Sequence, residues 1–244
     1  MGINMRLISF LKLNEIKIGI VINDGHDVID LSIASPNLPR RMNELINLGK
    51  RGLNKIDAII SNPPSNSLYQ FNDLELLAPI PKPTRNIFCV GRNYHEHAQE
   101  FHDSGFDATA GADAIPEHPI IFTKATTSVS GPNDPIPAYL DSTNSTDYEG
   151  ELAVIIGKEG RGISKERAFD HIYGYTVSND VTARTLQHQH KQWFLGKSLD
   201  GYCPMGPMIV TADETGHPDT FNLETKVNGE PRQKASVADL IFDI

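Results

Sequence analysis

Residues 146 to 157 read TDYEGELAVIIG, Thr146 through Gly157, and two carboxylates two positions apart, Glu149 and Glu151, open this run of strand-forming residues. On a strand, successive side chains alternate between faces, so residues i and i+2 share a face about 6.6 to 6.8 Å apart along the backbone. Like charges this close repel. The arrangement lasts when a carboxyl keeps its proton, a cationic side chain intervenes, or a divalent ion sits between the two. Taken alone, the stretch reads more simply as a solvated strand face, with Ala153 and Ile155 continuing the same side and Leu152, Val154 and Ile156 filling the other. The ion becomes the better reading only with the rest of the chain.

Working outward, residues 86 to 91, NIFCVG, form a short apolar strand, and Asn93 with Glu96 has the spacing of a capping box at the head of a helix. That helix, YHEHAQEF, places His97 and Glu100 at i and i+3, where the carboxylate can hold one imidazole nitrogen and raise the basicity of the other. This is how a general base is built, although a surface helix whose His and Glu meet only solvent has the same spelling. Residues 103 to 118 carry Gly, Ala and Asp with little periodicity and are expected to form a mobile surface segment, functionally a lid. Lys124 ends the following strand, either meeting an anionic substrate or simply exposed.

On the other side of the central stretch, a helix is expected from Ser164 through Ile172, and a second over residues 180 to 191. In the second, Asp180, Arg184 and Gln187 fall at i, i+4 and i+7 on one face. A carboxylate, a guanidinium and an amide in line suit a metal ligand followed by two groups that grip a carboxylate or carbonyl, the plain alternative being an exposed ion pair. Lys197 lies among glycines and prolines in residues 193 to 207, in what should be an irregular buried turn, and is a candidate for stabilising an oxyanion. His188 and His190 lack the second half of a zinc site, and no CxxC accompanies them.

At 244 residues with a net charge of −9, and no Lys/Arg cluster longer than Arg40 and Arg41, the chain has no electrostatic footprint for nucleic acid. Two cysteines, each in an apolar stretch, read as buried thiols in a reducing compartment. No apolar run approaches 18 residues and the N-terminus lacks a signal-peptide layout, so no membrane is expected and the cytosol is the default. Strand-like runs at residues 5 to 10, 16 to 22 and 26 to 31, an Asn23-Asp24-Gly25 turn and a helix over residues 42 to 53 make a small α+β unit. Pro79, Pro81 and Pro83 then stiffen a connection, so residues 1–75 are expected as a small N-terminal domain and 76–244 as the catalytic one.

The segments GRNYHEHAQE, IIFTK, DYEGELAVIIGKEGR, SNDVTARTLQ and GKSLDGYCPMGP, in this order, resemble the fumarylacetoacetate hydrolase family from about Leu77 to the last residue. The resemblance implies an α+β, mainly β fold, a mixed β-sandwich roll preceded by a small N-terminal domain, and a homodimer. It implies that Glu149, Glu151 and Asp180 bind a divalent cation, Mg2+ first, with Mn2+ or Ca2+ as alternatives. His97 and Glu100 match the dyad that activates water, and Lys197 the lysine that steadies the departing enolate. Lys124, Arg184 and Gln187 match positions that contact substrate. Family members continue beyond the position of Ile244 into a Gly- and Thr-rich strand segment, so the catalytic domain is expected to be truncated at its C-terminus.

Three carboxylates make a hard oxygen site suited to such an ion, and a 2-oxo acid or 1,3-diketone chelates it through two oxygens. The expected reaction is therefore hydrolysis of a C–C bond in a 2,4-diketo acid of the fumarylacetoacetate or acylpyruvate type, with water activated by His97 and an enolate held by the metal and Lys197. The same site can serve a decarboxylase or isomerase acting on a 2-oxo or 2-hydroxy-diene dicarboxylate of aromatic-compound degradation. A truncated protein that binds metal or ligand without turnover is the non-enzymatic alternative. An oxygenase with iron held by His95, His97, His188 or His190 is a further one.

Overall fold

The computed structural model describes residues 5–95 and 115–244. β-Branched and aromatic residues separated by turn residues make β1 (Arg6–Lys12), β2 (Glu15–Ile22) and β3 (Asp27–Asp30). Leu13 and Asn14 join β1 to β2 with φ of 51° and 59°, the left-handed backbone that a two-residue hairpin turn requires. β4 (Leu68–Gln70) extends β3, and β5 (Glu75–Leu77) pairs with β1.

Three α-helices intervene between β3 and β4: α1 (Leu31–Ala34), α2 (Met42–Asn47) and α3 (Lys50–Ile60). The single helix expected over residues 42 to 53 is broken at Gly49, whose φ of 52° turns the chain between α2 and α3. Leu45, Ile46, Leu53 and Ile56 of these helices pack on Leu7, Ile20, Ile29 and Ile209 of the sheet. The other face of the sheet buries Ile8, Phe10, Val21, Val28 and Leu76. Neighbours such as Leu7 and Ile8 thus point to opposite cores, as a period of two requires. Each such side chain contributes about 1.5–3 kcal/mol on full burial.

In the second part of the chain, β6 (Ile87–Gly91) and β7 (Ile120–Lys124) form a two-stranded sheet of their own. Two short strands follow, β8 (Val129–Ser130) and β9 (Thr146–Asp147). β10 (Gly150–Ile156) carries the central stretch, and β11 (Ile172–Asn179) lies antiparallel to it. β12 (Thr182–Ala183) pairs with β9, while β13 (Cys203–Thr211) lies between β11 and β1. The pairing of Arg6 with Val210 and Leu7 with Ile209 makes one sheet, in the order β10-β11-β13-β1-β2-β3-β4, that runs from the central stretch into the N-terminal unit. β14 (Asn222–Val227) and β15 (Glu230–Ser236) form a hairpin that turns at Asn228-Gly229, both residues having positive φ. The architecture is the mainly β class expected.

Two helices depart from expectation. Residues Lys165–His171 form a 3-10 helix after Ser164 instead of an α-helix. Residues 180 to 191 do not form one helix: β-branched Val181 and Thr182 stay extended and buried, Thr182 pairs with Asp147, and α4 (Arg184–Gln189) begins only afterwards. Lys197 closes a short helix, α5 (Phe194–Lys197), where an irregular turn was expected. Among the described residues, no helix is long and apolar enough to cross a membrane.

Candidate functional site

Strand register assembles the site. In the β10–β11 pair Gly150 faces Asn179 and Glu151 faces Ser178, so the residues just beyond this ladder, Glu149 and Asp180, come together. The Asp180 amide donates to the Glu149 carbonyl (2.7 Å) and the Glu149 amide to Asn179 Oδ1 (3.0 Å). Asp180 therefore reaches Glu149 through antiparallel pairing, not through a helical face. Gly150 separates the two glutamates because the β14–β15 hairpin crosses here. A Cβ on Gly150 would lie 2.2 Å from Thr225 Oγ1. Gln233 brackets the same residue, accepting from its amide at 2.9 Å and donating to its carbonyl at 2.8 Å.

The cations arrive from two other elements. Lys124 is the last residue of β7, and the next amide, of Ala125, donates to Ser198 Oγ at 3.0 Å, which ties β7 to the end of α5. α5 reaches the site because Gly196 has no side chain: a Cβ there would lie 2.5 Å from the Gln187 backbone nitrogen and 2.8 Å from the Ala183 carbonyl. Lys124 and Lys197 are 1% and 2% exposed. Lys124 Nζ lies 2.5 Å from Asp180 Oδ1 and donates to the Val181 carbonyl at 3.0 Å. Lys197 Nζ lies 2.8 Å from Asp180 Oδ2 and also bonds Glu149 Oε2. Arg184 Nη1 lies 2.8 Å from Glu149 Oε1 and donates to Gln187 Oε1 at 3.3 Å.

Electrostatics sort these groups by role. Burial works against the Lys197 charge, but the Asp180 and Glu149 carboxylates outweigh it and raise the pKa above the ordinary lysine value. Lys197 is thus a fixed ammonium, suited to stabilising negative charge and unsuited to taking a proton. Arg184 is likewise raised against burial by Glu149 and Asp147. Glu151 behaves differently: burial first, then the Glu149 and Asp180 carboxylates, push its pKa up to about 8.

Glu149, Glu151, Asp180, Lys124, Arg184, Gln187 and Lys197 all line one cavity of about 840 Å3. The donor set fits a hard divalent ion in chemistry, since three carboxylates line one cavity, and a cation there would offset both the burial and the carboxylate repulsion that raise Glu151. Among the described residues no three His, Cys, Asp or Glu side chains already converge on one point, Lys197 being the group that bridges Glu149 and Asp180. His97 and Glu100 lie outside the described residues, as do most of the segment expected as a lid and the capping contact expected between Asn93 and Glu96.

Several site residues had no part in the sequence reading. Asp147 accepts from Arg184 Nε at 2.9 Å and Nη2 at 2.8 Å and so orients the guanidinium. Its signal was present, because Asp147, Glu149 and Glu151 continue one alternation. Phe122 and Trp193 stack edge to face with centroids 5.3 Å apart, and Lys197 Nζ lies 5.0 Å from the Phe122 ring centre. This apolar wall shields the ammonium, and nothing local in the sequence announces it. Cys203 is buried and Cys89 half-buried, both as free thiols, and burial raises the pKa of each.

Comparison with known proteins identifies the family and its fold. Residues 86–244 match the family model described as fumarylacetoacetate (FAA) hydrolase C-terminal. The chain is 42% identical over 244 residues to oxaloacetate tautomerase YisK of Bacillus subtilis, covering 95% of this chain and 78% of that protein. A solved fumarylacetoacetate hydrolase from Exiguobacterium antarcticum superposes with a TM-score of 0.78 at 38% identity, over 98% of this chain and 78% of that one. A maleylpyruvate hydrolase from Sphingobium sp. SYK-6, solved with manganese(II) and pyruvate, superposes with a TM-score of 0.76 at 29% identity, over 98% and 79%. With the family's motifs, its fold and a cavity lined by their charged residues all present, the chain belongs to the fumarylacetoacetate hydrolase family.

Proposed function

We propose that this protein interconverts the keto and enol forms of a 2-oxo dicarboxylic acid of the oxaloacetate class. The observation that carries the reading is the buried ammonium of Lys197, held between Glu149 and Asp180 in the cavity. The similarity to oxaloacetate tautomerase YisK selects the substrate class. Enolisation moves a proton from C3 and places negative charge on the C2 oxygen, and a fixed, buried cation favours that charge. Lys197 supplies the cation, shielded on one side by Phe122. Arg184, braced by Asp147, and Gln187 orient the C1 carboxylate. Lys124 holds Asp180 in place through a 2.5 Å contact. His97, oriented by Glu100, takes the C3 proton in this reading, which for those two residues rests on the sequence motif. A divalent ion, Mg2+ in the first instance, would be held by Glu149, Glu151 and Asp180 and would supply Lewis-acid polarisation of the 2-oxo group.

A second reading, C–C hydrolysis of a 2,4-diketo acid, is favoured by the similarity to the Exiguobacterium hydrolase and to maleylpyruvate hydrolase. It uses the same enolate-stabilising lysine and adds attack of water on the distal carbonyl. The deciding experiment follows, with Mg2+ present, the ultraviolet absorbance of enol-oxaloacetate and, separately, of an acylpyruvate. Accelerated enol–keto exchange with the acylpyruvate untouched supports the tautomerase. Release of pyruvate from the acylpyruvate without accelerated exchange overturns it in favour of the hydrolase. Neither reaction, with the fluorescence of the single tryptophan, Trp193, still changing on ligand addition, establishes binding without turnover.

A further inference from the structure

β10 ends the main sheet: among the described residues, its one strand neighbour there is β11. In an antiparallel ladder, residues alternately turn their N–H and C=O toward the partner strand and away from it. Glu149 turns toward β11, its carbonyl accepting from the Asp180 amide and its amide donating to Asn179 Oδ1. Gly150 therefore turns outward, and it is buried, where an unpaired peptide group is costly. The partner is a side chain. Gln233 Oε1 accepts from the Gly150 amide at 2.9 Å, and its Nε2 donates to the Gly150 carbonyl at 2.8 Å, the two bonds that a strand on that edge would make.

Two features of the hairpin aim this amide. Thr225 sits opposite Gln233 across the β14–β15 pair, and its Oγ1 donates to Gln233 Oε1 at 2.9 Å, which fixes which end of the amide faces the Gly150 N–H. Beyond that pair the register shifts, with Lys226 opposite Pro231 and Arg232 left as an extra residue. A bulge of this kind bends its strand and re-aims the side chains beside it. Gly150 lies between Glu149 and Glu151, which both line the cavity. The strand is thus gripped from both edges at the residue that separates the two carboxylates. A residue that orients metal ligands from outside the coordination sphere typically changes metal affinity about 10–100-fold. We propose that Gln233 is such a positioning residue: as a substitute strand on Gly150 it fixes the spacing of Glu149 and Glu151, and through that spacing the affinity for a divalent cation. The proposal rests on assigning these carboxylates, with Asp180, to an ion, and adds what sets the affinity, a side chain 83 positions further along the chain.

Manganese(II) is the probe, because the paramagnetic resonance signal of the free ion falls as the ion binds, so a titration reads affinity without any turnover. Gln233→Met, of similar length but with no amide, is expected to weaken Mn2+ binding by about tenfold or more. Thr225→Ala, which releases the amide to rotate, should weaken it by a smaller factor, and Thr225→Ser, which keeps the hydroxyl, should retain the wild-type affinity. Ile56→Val, a buried change in the N-terminal core, lowers stability far from the site and is expected to leave Mn2+ affinity unchanged. Unaltered affinity in Gln233→Met overturns the proposal, and so does an equal loss in Ile56→Val, which would make the effect one of general stability. Should Gln233→Met fail to fold by circular dichroism, the Thr225 variants decide: wild-type affinity in Thr225→Ala, or the same loss in Thr225→Ser as in Thr225→Ala, overturns it. A wild-type protein that takes up no Mn2+ overturns the metal assignment and this proposal with it. Uptake by the wild type that Gln233→Met leaves intact removes the proposal alone.

Discussion

Lys197 Nζ stands 2.8 Å from Asp180 Oδ2, and this contact joins the end of α5 to the end of β11. Both groups are buried, so each sets the cost of removing the other. Breaking a buried pair by deleting one partner leaves the other charge uncompensated, at about 3–5 kcal/mol. Lys197→Met is therefore expected to lower stability by about that amount, and the Lys197→Met/Asp180→Asn double variant to recover part of it. Urea denaturation of the three proteins checks this; a double variant no more stable than Lys197→Met would show that the two charges are not coupled. If Lys197 stabilises the enolate, Lys197→Met also loses about 10²–10³-fold in kcat, read from the enol absorbance.

Asp147 braces Arg184 from a half-exposed position, its side chain 42% exposed. An exposed partner contributes little to stability, about 0–1 kcal/mol. Asp147→Asn should therefore leave the melting temperature nearly unchanged while raising KM for the 2-oxo acid with kcat held, since it loosens a group that binds substrate without reacting. A fall in kcat at constant KM would instead place Asp147 in the chemical step.

Gly150 meets Thr225 so closely that a methyl group must displace the β14–β15 hairpin. Gly150→Ala is expected to destabilise by about 1–3 kcal/mol, the usual range for overpacking. Thr225→Ala placed in the same chain should restore part of the loss. Thermal unfolding of single and double variants decides: equal melting temperatures for both would mean that the hairpin is not what excludes the side chain.

Asp141 is a local acid sensor. Burial alone would raise its pKa, but hydrogen bonds from Thr143, Ser145 and Thr146 outweigh it and hold the carboxyl at about 2. A carboxylate whose pKa is depressed on folding stabilises the fold fully above its unfolded value, near 3.9, and loses that contribution as pH falls through the folded value. Acid unfolding of the wild type should include this loss between about pH 4 and 2. Asp141→Asn should forfeit the contribution already at neutral pH, by about 1.5–3 kcal/mol for charge-assisted bonds, with a shallower acid limb. Melting temperatures of both proteins across pH 2 to 7, a range spanning both values, check the sign; identical acid limbs would refute it.

Much of this was legible from local spacing. The alternation through Glu149 and Glu151 announced a strand with paired carboxylates, and Asn23-Asp24-Gly25 announced the turn between β2 and β3. Asp180, Arg184 and Gln187 were assigned to one site for the wrong geometric reason. A helical face was expected, yet Val181 and Thr182 hold the backbone extended, and Asp180 arrives through its antiparallel neighbour Glu149. Of the two expectations for Lys124, contact with an anionic substrate or plain exposure, the second fails: Lys124 is buried against Asp180, because exposure depends on what packs above a strand end.

The sequence by itself determined the strand and turn grammar, the charge types available and the family motifs, because those depend on residue identity and on neighbours a few positions away. Only the tertiary structure decided which charges meet. The register of β10 on β11, the close approach that Gly196 permits, the Phe122 and Trp193 wall around Lys197 and the hydrogen bond that Asn93 Nδ2 donates to the Phe242 carbonyl all join residues far apart in the chain. Such contacts exist only once the sheet has paired, and a linear periodicity carries no record of the partner strand.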